Sequence, residues 1–144
     1  MSKPELGERG GRKKVIMGKY FSDSEMPELI SITLKIRSAQ FSRSEKLAIL
    51  QVLDLLIHAD HKANEKEMKW LEIIIDKFDL PFEDIHVAVN QDGVKGMMEL
   101  KSMNSNQKDI FKQLIVKMVT IDGNVVPKQV EILSMVCNIV GIKI

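Results

Sequence analysis

Four oxygen-bearing side chains recur in this chain at one spacing. Asp60 stands seven residues before Glu67, and Asp122 stands seven before Gln129. Carboxylate and amide oxygens are hard ligands, so two such pairs brought face to face would suit Ca²⁺, Mg²⁺ or Mn²⁺. Each group also has an ordinary role. An acid near a helix N-terminus offsets the macrodipole, and Asp122-Gly123 is a good turn pair. An EF-hand is excluded. Lys62 and Asn64 follow Asp60, Asn124 and Val126 follow Asp122, and both turns lack the central glycine that such a loop needs.

The elements that must position these groups are themselves repeated. Shifted by 62 positions, residues 41–80 fall on residues 103–142 with the same apolar pattern. Leu53, Leu56 and Ile57 fall on Ile115, Met118 and Val119. Leu71, Ile74, Ile75, Phe78 and Leu80 fall on Leu133, Val136, Cys137, Val140 and Ile142. Each copy reads as apolar helix, acidic turn, apolar helix. The Asp ends one helix, and the Glu or Gln lies in the first turn of the next. Copies packed about a pseudo-twofold axis would turn the two acidic turns toward one another.

The spacing of apolar residues at three and four positions predicts six or seven helices and no strand. Asp23 or Ser24 would cap a first helix to about Gln40, with Pro27 in its first turn. Its apolar residues are Met26, Leu29, Ile30, Ile32, Leu34 and Ile36. Ser42 or Ser44 would cap a second helix to about Ala59. Asn64 with Glu67 is close to a capping box for a third, to about Phe78. After Pro81, short helices are expected over 82–89 and 94–103, with Met97, Met98 and Leu100 inward. Asn104 or Ser105 opens the second copy, whose last helix starts at Pro127 and stops at Gly141.

At 144 residues the chain fits one domain with a real core. It is 44% hydrophobic, only 5% aromatic and carries nine Met, a core composition of packed helices rather than a β-sandwich. The net charge is +1, so there is no overall pull toward nucleic acid or acidic lipid. The division expected is a flexible basic arm over 1–22 and a helical domain over 23–144. The arm carries six basic residues against two acidic ones. Arg9, Arg12, Lys13 and Lys14 within it are candidates for contact with nucleic acid or acidic lipid. A short tail of this kind is also commonly just solubilising. No apolar run reaches the roughly 18 residues of a membrane helix, and no secretory signal opens the chain, so a cytoplasmic protein is expected.

Other chemistries find little here. His58 and His61 flank Asp60 and, with Glu65 or Glu67, could make a zinc or nickel site, or simply sit in solvent at a helix end where a cation is favoured. His86 stands alone. The single Cys137 excludes an internal disulfide and falls in an apolar stripe, so burial is expected. No nucleophile elbow, phosphate loop or dinucleotide fingerprint is present. The expectation is a protein without catalysis.

The doubled pattern of Ala59-Asp60, Glu67 and Asp122-Gly123, set among apolar helices, resembles the TerB-like tellurite-resistance family. The same fold is found at the N-terminus of a membrane-anchored DnaJ-type co-chaperone. The resemblance covers about residues 25–142. It implies a compact all-α bundle, a divalent cation on the paired acidic positions, and a role in stress-response complexes with a protein partner. Asp60, Glu67 and Asp122 match that pattern. His61 replaces the glycine of the first turn, Ile121 the alanine of the second, and Gln129 the second glutamate. Gln129 keeps a carbonyl oxygen but removes a charge, which lowers affinity for a hard cation. Glu131, about 200° further round the helix, cannot stand in for it.

Overall fold

The computed structural model describes residues 20–59 and 64–143. Among these residues it is all-helical: α1 (Met26–Ala39), α2 (Arg43–Ile57), α3 (Glu65–Lys77), α4 (Asp84–Asn90), α5 (Gly93–Lys101), α6 (Ser105–Thr120) and α7 (Pro127–Val140). None of these helices is long and apolar enough to cross a membrane.

Helix starts follow the side chains that can satisfy orphan backbone donors. The Ser42 hydroxyl accepts from Glu45 N, while the Glu45 carboxylate accepts from Ser42 N at 2.8 Å. Asn104 and Gln107 repeat that reciprocal box at α6. α1 departs from the expected start. Its first turn is fixed by Glu25, whose Oε1 accepts from Ser22 N at 2.7 Å, and neither Asp23 nor Ser24 serves as the cap. α4 and α5 each begin or end within two residues of the expected limits. α7 stops where Gly141 takes φ +87°, a backbone region that disfavours a Cβ.

α2 is the central helix. It packs against α3, α4, α5, α6 and α7, while α1 lies on α6 and α3, and α5 lies on α2 and α7. Leu50, Leu53, Leu56 and Ile57 of α2 are completely buried, as are Leu114, Ile115 and Met118 of α6. Trp70 of α3 is buried between them, and its Nε1 donates to Leu114 O at 3.3 Å. Burial of such aliphatic side chains contributes about 1.5–3 kcal/mol each. Phe41 meets Phe78 edge to face at 5.8 Å, closing the ends of α1 and α3 over α2.

Four sequence assignments of burial change. Ile30 and Leu34 face outward on α1, because Leu29, Ile32 and Ile36 take the inward stripe. Met98, expected inward, is 62% exposed, since Gly96 and Leu100 are the positions of α5 that meet α2. Phe21, placed by sequence in the arm, is buried against the core.

Candidate metal centre

The polar centre of the molecule is where α3 and α7 begin. Asn64 caps α3 by accepting from Lys66 N and Glu67 N. That puts Glu67 on the inner side of the first turn, and its carboxylate does not reach back to complete a capping box. Pro127 starts α7, which has no side-chain cap, and Gln129 occupies the matching inner position. Both side chains are buried, Glu67 at 3% and Gln129 at 1% exposure. Gln129 Nε2 donates to Glu67 Oε2 and to Leu56 O, each at 2.9 Å. The third partner is the main chain at the C-terminal end of α2, where carbonyls carry the negative end of the helix dipole.

The oxygen of the same amide is unusual. Gln129 Oε1 is buried and has no hydrogen-bond partner among the described residues. Leaving a buried acceptor unsatisfied costs about 1–3 kcal/mol. The amide orientation itself is set by its neighbours. Two acceptors, a carboxylate and a carbonyl, surround the Nε2 position.

Of the four sequence candidates, the structure brings Glu67 and Gln129 into contact. Asp122 is half-buried in the turn after α6, where its Oδ1 accepts from Asn124 N at 2.9 Å and Gly123 takes φ +77°. It thus organises its own turn and makes no hydrogen bond to Glu67 or Gln129. Asp60 lies outside the described residues, as do His61 and the arm residues Arg9, Arg12, Lys13 and Lys14. Among the described residues no three His, Cys, Asp or Glu side chains are grouped to hold a metal ion. His58 pairs with Asp54 on its own helix, Nδ1 to Oδ1 at 3.3 Å. Cys137 is buried, which pushes its thiol pKa up while Lys112 pulls it the other way, so it is not an activated nucleophile.

A second junction of the same kind was not anticipated from sequence. Gln107 Nε2 donates to Ala39 O at 3.1 Å and to Glu45 Oε1 at 3.2 Å. Here too a glutamine amide joins the last turn of one helix to the glutamate 62 positions earlier. The signal was available: Ser42 with Glu45 and Asn104 with Gln107 are paired capping boxes at that offset.

No known protein family, curated protein or solved structure matches this chain.

Proposed function

We propose that this chain is a non-catalytic, TerB-like helical domain in which a divalent cation joins the first turns of two duplicated helix pairs. Support for the duplication comes from the helix limits. Adding 62 to the bounds of α2 and α3 gives 105–119 and 127–139, against Ser105–Thr120 and Pro127–Val140 for α6 and α7. Two glutamates also touch their own counterparts, Glu45 with Gln107 and Glu67 with Gln129. Contacts between repeat mates are what copies packed about a pseudo-twofold axis would make, and they support that reading.

The observation that carries the cation is the orphaned Gln129 Oε1 beside a buried carboxylate. Amide nitrogen and oxygen exchange places when the group turns over. Turned over, Gln129 would present its oxygen beside Leu56 O and Glu67 Oε2. Three oxygens, one of them charged, are a donor set for a hard cation. The doubled sequence pattern nominates Asp60, which lies outside the described residues, and Asp122 as the carboxylates that would complete it. In this reading the domain serves a stress-response complex, and the cation sets how firmly its halves hold together.

A second reading is a metal-free protein-interaction module, favoured by a specific observation. Gln129 Nε2 already donates to Glu67, so the pair works as a latch without any ion. Thermal unfolding in EDTA, with Ca²⁺, Mg²⁺, Mn²⁺ and Zn²⁺ added back singly, separates the two. A cation at about 100 times its dissociation constant adds about 2.7 kcal/mol. A rise in Tm with one cation that Asp122→Ala and Gln129→Ala each abolish supports the metal centre. Superimposable melts in EDTA and in every cation refute it and leave the latch.

A further inference from the structure

The surface carries two grooves at matching places. One runs between α1 and α6, and the other, about 250 Å³, between α2 and α5 with α4 closing one end. Adding 62 to Lys35 of the first gives Met97 of the second, and subtracting 62 from Gln113, Val116 and Lys117 gives Gln51, Asp54 and Leu55. The same groove is thus built twice with opposite chemistry. In the α1/α6 groove the walls are bridged by polar contacts, Lys117 to Glu28 and Lys35 to Gln113. In the α2/α5 groove the two lysine positions are Met97 and Leu55, and the remaining polar bridge is Gln51 Nε2 donating to Gln91 O at 2.9 Å.

Leu55 is 44% exposed on α2, the most buried helix of the molecule. Val89 continues the apolar lining, and Val94 and Met98 extend exposed apolar surface along α5. At the equivalent positions Lys35 is exposed and Lys117 is largely covered in its pair with Glu28, so polar side chains fit both places in the counterpart groove. Methionine is well suited to surfaces that adapt to a partner. The groove is smaller than the roughly 300–1,000 Å³ of small-molecule sites, so it fits anchor side chains from a larger partner. Its charge is acidic. Asp54 lies in the groove itself, and of the four carboxylates in the surrounding segment 82–101 Asp84 is paired with Arg43 at 2.6 Å, leaving Glu83, Asp92 and Glu99 against Lys95 and Lys101.

We propose that the α2/α5 groove is a docking site for a basic amphipathic helix of a partner protein. Its aliphatic residues would seat between Leu55, Val89 and Met97, and a Lys or Arg would face Asp54. Helix-in-groove recognition of this kind reads apolar anchors at successive turns of the ligand. The inference goes beyond the cation reading and does not depend on it.

The test is a titration of the full chain, carrying ¹³C-methyl Met and Leu, with two synthetic helical peptides in EDTA. Both peptides bear Leu at successive turns. One is flanked by Lys and Arg, and the other has Glu in their place. Saturable shifts of the Leu55, Met97 and Met98 methyls by the basic peptide are expected, with binding at least about tenfold weaker for the acidic peptide. Leu55→Lys, which installs the residue of the counterpart groove, should weaken binding of the basic peptide by at least about tenfold as well. Because Leu55 is exposed, that variant is expected to melt like the parent, and Met97→Lys serves as an independent second change. Four results would overturn the proposal. They are no saturable shift, shifts centred elsewhere, equal binding of the two peptides, and concentration-dependent shifts without peptide that reveal pairing of two copies.

Discussion

Replacing Gln129 by Glu restores to the second copy the residue type of the first, and its consequence can be worked from the contact. The amide that donates to Glu67 Oε2 and Leu56 O becomes a second acceptor at 2.9 Å from each. Two carboxylates that close cannot both ionise in a buried site. The fold must keep one of them protonated. From a reference value of about 4.3, holding that proton at pH 7 costs about 3.7 kcal/mol, at about 1.36 kcal/mol per unit. One donor is lost as well, which adds about 1 kcal/mol. The expected loss at pH 7 in EDTA is therefore about 4–5 kcal/mol, or a fall in Tm of the order of 12–15 °C for a domain of this size. The pH dependence has a definite sign. Above about pH 4.3 the folded variant holds a proton that the unfolded chain releases, so its stability falls with rising pH. Below that pH the gap from the parent shrinks to the lost hydrogen bond. Chemical denaturation of Gln129→Glu and the parent from pH 4 to pH 8, in EDTA and then in Mg²⁺ or Ca²⁺, reads all of this. Recovery on adding the cation is the metal-centre outcome, and loss unrelieved by any cation is the latch outcome. A variant as stable as the parent at pH 7 in EDTA would refute the reasoning, because it would mean that the two side chains do not meet in a buried contact.

Three further outcomes follow from local geometry. Ser42→Ala and Asn104→Ala should each lower stability by about 1 kcal/mol, and because Gln107 joins the two boxes through Glu45, the double variant in a urea titration should depart from their sum. Gly141→Ala should lose about 1–2 kcal/mol from the positive φ alone, since the nearest side-chain atom to an added Cβ is Lys108 Nζ at an ordinary 3.8 Å. Glu25 is held below its usual carboxylate range by the Ser22 backbone N–H first and by Lys66 next. Its contribution is present above about pH 4.3 and is lost as pH falls through its lower folded value. Melting curves of Glu25→Gln and the parent should therefore differ at neutral pH and converge in acid, and a constant gap at all pH values would contradict this.

Local sequence determined much of this protein. Apolar spacing along Leu50, Leu53, Leu56 and Ile57, the caps Ser42, Asn64 and Asn104, Pro127 and Gly141 all act within one or two helical turns, so the seven helices could be placed without knowing their partners. The 62-residue offset by itself also pairs Glu67 with Gln129. Periodicity could not say which apolar residues face inward where stripes are wide, because that depends on which helix lies opposite. Ile30, Leu34 and Met98 are outside for that reason alone. Only the packing of α3 and α7 on α2 decided that Glu67 turns into the core rather than back onto its own cap, and that Leu56 O completes the contact. The same packing left Asp122 holding its own turn. Partners separated by dozens of residues meet because burial of α2 forces them together, and no local preference in the chain encodes that meeting.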